Sequence, residues 1–284
     1  MFDAIWKRVF RVGVAVSVVM AALLVGGTGC STAPVTGRPI FDLVDDADVT
    51  AKSKQAFAQM KASHWLSTDR AKIERLQRVG ERLAEVVFWD VPDAEWEFVV
   101  FEAPGEVNAF AMAGGKVGVY SGTFDVATTD AELAVIIAHE IAHVTARHVH
   151  EKLSEGMVVE AGGVALGVAS AGYGALTSAA VTSLYSMSSG VLGLSFDRSK
   201  EREADRIGLI YMARAGYAPR AAIDLWEKID QLGSGRSAPP EWLSTHPSHA
   251  DRMARLYEWL PRAEEVYRRT LAERARAAEV LTVP

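Results

Sequence analysis

The residues best placed to do chemistry stand together in Ala138-His139-Glu140-Ile141-Ala142-His143. On a helix, side chains four apart project from one side, about 6 Å apart along the axis. His139 and His143 so placed can share one metal ion, and Glu140, in the same turn, can reach water on that ion. Neutral imidazole with carboxylate suits zinc. The pattern arises by chance in roughly one chain in a hundred of this length. Here it also falls inside an apolar-periodic stretch opened by Thr129-Asp130-Ala131-Glu132, a capping box. Four of the seven histidines, His139, His143, His148 and His150, lie within twelve residues.

A catalytic zinc wants three protein ligands and an open position. No third histidine follows at short spacing, so a carboxylate further along is sought. Glu201-Arg202-Glu203-Ala204-Asp205 is the candidate. Glu201 and Asp205 share a helix face. Glu201 would bind the metal and Asp205 would hold a ligand imidazole by its free N–H, with Glu203 the first alternative ligand. His246-Pro247, taken alone, equally suits a surface turn. His148 reads as a packing or hydrogen-bonding residue and His150 as solvent-facing.

Elements must position these groups. The pattern predicts helices over 48–62 and 68–88, the second with Ile73, Leu76, Val79, Leu83 and Val86 on one stripe. Strands are expected at 96–101, 107–112 and 117–120, the last two joined at Gly114-Gly115. A long helix is expected from Asp130 to Leu153, then helices over 198–214, 219–232, 250–260 and 263–280. Residues 156–195 carry a single charge, Glu160, and recurrent Gly and Ser. No uninterrupted apolar run of about 20 residues occurs there, so small-residue helices or a lid over the zinc cleft are expected.

Composition narrows the classes. The 284 residues are 49% hydrophobic and 23% charged, enough to bury a core. A net charge of −6 excludes a nucleic-acid binder working through a basic surface. The single cysteine, Cys30, excludes an intrachain disulfide framework and a zinc ribbon. Lys7, Arg8 and Arg11, an apolar run over 12–25, then Gly26-Gly27-Thr28-Gly29 and Cys30 have the layout of a secretory signal. The approach to Cys30 resembles a bacterial lipobox, although Gly27 stands where a large aliphatic residue is usual. Ser31 resembles the sorting residue of outer-membrane lipoproteins. The expected organisation is a signal peptide over 1–29, lipidated Cys30 and a tether over 30–46, and one domain over 47–284. Beyond residue 29 the chain holds 27 Lys and Arg against 35 Asp and Glu. Lipid chains rather than charge would therefore hold it at a membrane.

Several of these stretches together resemble the HtpX and CAAX-prenyl-protease type of gluzincin metallopeptidase, nearest the small lipoprotein (LoiP-like) and mitochondrial Oma-like branches. They are Asn108-Ala109-Phe110-Ala111 with Gly114-Gly115, His139 to His143 continuing through Ala146-Arg147-His148, Glu201 to Asp205, and Thr245-His246-Pro247. They follow the family's order over residues 48–260. Asp197-Arg198 replaces the family's usual Ser-Arg ahead of the ligand Glu. The resemblance implies an α+β, mainly helical zincin domain with a small β-sheet beside the helix of His139. It implies one zinc per chain on His139, His143 and Glu201, with Glu140 as base and Asp205 behind a ligand. His246 would approach the metal, as a reversible cap or an oxyanion partner. Residues 108–111 would form an edge strand that binds extended substrate. The expected activity is zinc-dependent hydrolysis of peptide bonds in misfolded or unassembled envelope proteins, in the periplasm at the outer membrane. The rival is a zinc-capped assembly factor for outer-membrane proteins with little proteolysis. Expected partners are polypeptides, the membrane through Cys30 and envelope assembly machinery, and no nucleic acid.

Overall fold

The computed structural model describes residues 31–167, 196–234, 246 and 251–281. The leader with Cys30 and residues 168–195, the larger part of the low-charge segment, lie outside the described residues. Eleven elements follow in order: α1 (Asp46–Ser63), α2 (Arg70–Val86), β1 (Glu97–Phe101), β2 (Ala109–Met112), β3 (Lys116–Tyr120), α3 (Thr123–Val126), α4 (Asp130–Thr145), α5 (His148–Gly167), α6 (Arg198–Arg214), α7 (Ala221–Ser234) and α8 (Arg252–Leu281). The α+β expectation holds: the described residues are mainly helical with one small sheet.

The sheet order is β1-β3-β2. β3 runs parallel to β1, pairing Lys116 with Glu97, and antiparallel to β2, pairing Val119 with Ala109. The β2–β3 turn uses Gly114 and Gly115 at φ 77° and 83°, a region glycine enters without a Cβ clash. β2 is thus an edge strand of the sheet, and it packs against α4. One sheet face and α2, α4, α6 and α7 enclose the main core of Leu76, Val117, Val119, Leu133, Ile137 and Ile207. A smaller core of Phe57, Phe101, Phe110, Met112 and Tyr120 lies under α1.

The helix that carries the histidine pair is the central one. Its start is fixed by the capping box: Glu132 N donates to Thr129 Oγ1 at 3.2 Å and Thr129 N donates to Glu132 Oε2 at 2.9 Å. Such a cap stabilises a helix by about 1 kcal/mol. Every residue from Leu133 to His143 is buried, as for a helix packed on all sides.

α4 does not run on to Leu153 as its apolar period suggests. It ends at Thr145, and Arg147 turns the chain at φ 57° before α5 begins. A non-glycine residue in that region costs about 1–2 kcal/mol. Arg147 is held there by Asp42 at 2.7 Å and Asp46 at 2.8 Å. The C-terminal pair of expected helices is also one helix, α8, continuous through Pro261.

α6 crosses α4 closely because of Gly208. A Cβ at that position would stand 3.0 Å from His139 N and 3.1 Å from Ala138 O. The N-terminus of α6 is capped by Asp197, whose carboxylate accepts from Ser199 N at 2.8 Å and Lys200 N at 3.1 Å. The departure from Ser at this position therefore substitutes one good N-cap for another. Burial works against its charge, yet these hydrogen bonds hold the Asp197 carboxyl well below the usual carboxylate range.

Candidate metal centre

His139 and His143 leave α4 on the side facing α6, and Glu201 enters from the first turn of α6. His246 approaches from the connection ahead of α8. One ligand atom from each of the four lies within 4.8 Å of the others, and all four residues are buried. His139 Nε2 is 3.1 Å from His143 Nε2 and 3.4 Å from Glu201 Oε2. Glu201 Oε1 lies 3.5 Å from His143 Nε2 and 3.0 Å from His246 Nδ1. His246 Nδ1 is 3.2 Å from His139 Nε2. A tetrahedron with bonds of about 2.0–2.1 Å has edges of about 3.3–3.4 Å, so these separations suit one zinc ion.

The charges fit as well. Glu201 and Asp205 share the buried guanidinium of Arg252, and Glu140 lies beside His246, so three carboxylates stand against one fixed cation and a divalent ion would balance the formal deficit. Burial opposes ionisation of Glu201, but hydrogen bonds with His139 and His246 hold its carboxyl far below the usual range. Burial likewise disfavours a charged His139, yet Asp205 and Glu201 outweigh it and push its pKa up to about 10. The site is thus built to surround positive charge. Burial holds His143 well below the ordinary histidine value, so its imidazole is neutral, whereas the proton that the two carboxylates draw to His139 must leave when a metal binds there.

Asp205 Oδ1 accepts from His139 Nδ1 at 3.0 Å, leaving Nε2 of that ring for the metal. Glu140 is buried one residue along, its Oε1 3.3 Å from His246 Nε2. His246 therefore offers one nitrogen to the ligand cluster and the other to Glu140, and it is not a surface turn.

Arg252 escaped the sequence reading. Its Nε donates to Asp205 Oδ2 at 2.7 Å, its Nη2 donates to Glu201 Oε2 at 3.1 Å, and it lies 3.9 Å over the Trp226 ring. The only signal for it was its place six residues beyond His246. His150 corrects an expectation: it is buried, with Nε2 3.0 Å from Asp46 Oδ1. His148 is the hydrogen-bonding residue expected, and Glu203 is its partner rather than a cluster member.

In the edge strand, Phe110 turns its ring into the smaller core against Phe57 and Tyr120. Ala109 is buried and Ala111 half-buried. Asn108 Oδ1 accepts from Ala109 N at 2.9 Å, while its Nδ2 is buried with no hydrogen-bond partner among the described residues. Among the described residues, no helix is long and apolar enough to cross a membrane.

Residues 70–260 match the family model described as peptidase family M48. The chain belongs to that family. It is 32% identical over 254 residues to a mitochondrial metalloendopeptidase OMA1 of Schizosaccharomyces pombe, covering 87% of this chain and 72% of that one. The Saccharomyces cerevisiae OMA1 is 34% identical over 178 residues, 61% of this chain and 49% of the relative. A beta-barrel assembly-enhancing protease of Escherichia coli K12 is 36% identical over 158 residues, 52% of this chain and 31% of the relative. The chain thus spans about half of the S. cerevisiae relative and under a third of the E. coli one. Family and geometry agree on the cofactor: this M48 domain is a metallopeptidase domain that takes zinc.

Proposed function

We propose that this chain is a zinc endopeptidase of the bacterial cell envelope that hydrolyses misfolded or unassembled envelope proteins. The observation that carries the reading is the position of Glu140, buried beside the ligand cluster and 3.3 Å from His246. In a purely structural zinc site that carboxylate has no use. In this reading His139, His143 and Glu201 hold the zinc and Asp205 orients His139. Zinc bound there supplies a Lewis acid and lowers the pKa of water toward about 7. Glu140 takes the proton from the attacking water and passes it to the leaving amine. His246 swings toward the oxyanion, donating from the ring that now faces Glu140. The outer edge of β2, which no strand of the described residues covers, pairs with extended substrate backbone in this reading. Side chains at 108–111 contribute little to recognition, since Phe110 is spent on the core.

The envelope setting is supported by the lipobox-like approach to Cys30, through which the chain would be lipid-anchored in the periplasm at the outer membrane. It is supported also by relatives whose names refer to beta-barrel assembly. A second reading has one observation in its favour. His246 Nδ1 lies among the ligand atoms, which suits a capped resting state and an assembly factor with little proteolysis. Casein digestion with and without a chelator, repeated with Glu140→Gln, separates the two. Chelator-sensitive cleavage that Glu140→Gln lowers by about 10²–10⁴-fold supports the peptidase. Equal, trace cleavage by both proteins refutes it. Mass spectrometry of proteins trapped by Glu140→Gln then identifies substrates, and loss of membrane fractionation in Cys30→Ala tests the anchor.

A further inference from the structure

The two ligand imidazoles are supported differently. His139 gives its Nδ1 proton to Asp205 directly. His143 faces a second histidine: its Nδ1 lies 2.9 Å from His148 Nδ1, and His148 Nε2 lies 3.1 Å from Glu203 Oε2. Ligation through His143 Nε2 fixes the direction of this chain. His143 Nδ1 keeps its proton and donates to His148 Nδ1, so the proton of His148 is on Nε2 and is donated to Glu203. His148 is fully buried, and Phe196 stacks on the His143 ring at 4.2 Å between centroids.

Beyond Glu203 the relay enters a segment that precedes the first helix. Arg38 Nε donates to Glu203 Oε2 at 2.6 Å, and Thr36 Oγ1 donates to Glu203 Oε1. The rest of the Arg38 guanidinium forms a fork on Glu151, at 2.6 and 2.8 Å. Such a planar two-bond pairing fixes orientation as well as charge. Residues 33–38 are folded into a turn, with Gly37 N donating to Ala33 O at 2.9 Å. The segment is held to α5 again where Phe41 N donates to Glu151 Oε1 at 3.1 Å and Leu43 N to Ser154 Oγ at 2.8 Å. A segment that sequence marks as a tether thus touches Glu203, the carboxylate behind His148, and is pinned beside it on Glu151.

We propose that residues 31–45 are a strap that positions His143 through Glu203 and His148, with Arg38 the positioning residue. Undocking the strap frees Glu203, lets His148 turn, and loosens His143. The inference rests on His143 being a zinc ligand, as in the reading above, and does not need Cys30 to be lipidated.

The test uses the full chain and zinc itself, measured by competition with a chromogenic chelator. Partners behind metal-bound histidines typically account for 10–100-fold in metal affinity. Glu203→Gln is expected to weaken zinc binding within that range and Arg38→Gln by about tenfold at its lower end. The double variant is expected to bind no more weakly than Glu203→Gln, because both act through one relay. In cobalt-substituted protein, the visible bands of Arg38→Gln should shift with those of Glu203→Gln. Thr36→Val, which removes only the hydroxyl donated to Glu203, gives a milder loss of the same kind and serves if Arg38→Gln does not fold. Unchanged zinc affinity and cobalt bands in a folded Arg38→Gln or Thr36→Val, with only a lower Tm, would overturn the proposal. His143→Ala is the separate arm. Zinc binding at wild-type strength there removes the ligand reading itself, and the proposal with it.

Discussion

Replacing Gly208 with alanine puts a methyl group where α6 crosses α4. The new Cβ would stand 3.0 Å from His139 N and 3.1 Å from Ala138 C and O. These are backbone atoms of a helix packed on all sides, so they cannot step aside as a flexible side chain can. Ordinary contact begins near 3.4 Å, so α6 must retreat by a few tenths of an ångström. Overpacking of this kind costs about 1–3 kcal/mol, and alanine returns about 0.8–1.0 kcal/mol of helix propensity. The net loss is therefore about 0–2 kcal/mol. At about 2–4 °C per kcal/mol, Tm falls by up to about 8 °C. The sharper consequence is at the site, because Glu201 rides on the same helix seven residues earlier and His139 on the helix it pushes against. Their 3.4 Å separation is set by this crossing. Zinc affinity should fall in Gly208→Ala by more than the change in Tm of the zinc-free chain suggests, and Gly208→Val should do worse in both. Thermal unfolding with and without zinc, together with chelator competition, measures each part. A Gly208→Ala protein with a raised Tm and unaltered zinc affinity would refute the argument that this contact sets the ligand geometry.

Asp205→Asn should weaken zinc binding about 10–100-fold, since the amide can present its N–H to His139 and favour the wrong tautomer; chelator competition reads this directly. Arg252→Met leaves Glu201 and Asp205 buried without their guanidinium, a loss of about 3–5 kcal/mol in the zinc-free chain. Added zinc should recover part of that loss in denaturant unfolding. Asp197→Ala should cost about 1 kcal/mol at pH 7 through the lost cap of α6, and Asp197→Ser almost nothing. Because the Asp197 pKa is depressed on folding, its contribution is complete above the ordinary value of 3.8 and is lost as pH falls below it. The Tm difference between wild type and Asp197→Ala should therefore shrink on acidification.

The cluster of candidate ligands was legible because each part sits in one short stretch with its own spacing. His139 and His143 are one turn apart, and Glu201 and Asp205 repeat that spacing on α6. The capping box at Thr129 gave the start of α4 for the same reason. Its end was hidden. The apolar period runs on past Thr145, and a left-handed arginine leaves no mark in sequence, since only its ion pairs with Asp42 and Asp46 make the turn tolerable. With that turn unseen, His150 seemed to face water, whereas the bend brings it under α1 to Asp46. Arg38 and Arg252 were invisible for a related reason. An arginine becomes part of a site only when distant carboxylates converge on it, and no local pattern encodes that. Pro261 misled in the opposite direction, because a helix as long as α8 can lose one backbone hydrogen bond and continue.

The turn at Arg147 also sets a rule on length. His143 and His148 meet ring to ring across it, on two different helices. One residue added or removed between them would swing His148 by about 100° around the axis of α5. Glu203 would then face an empty place, and His143 would lose its support even with every site residue still present. Chains descended from this one are therefore bound to its number of residues in the elbow as well as to Arg147, which Asp42 and Asp46 hold in the left-handed region. An alignment of descendants should show the stretch from Val144 to Arg147 fixed in count.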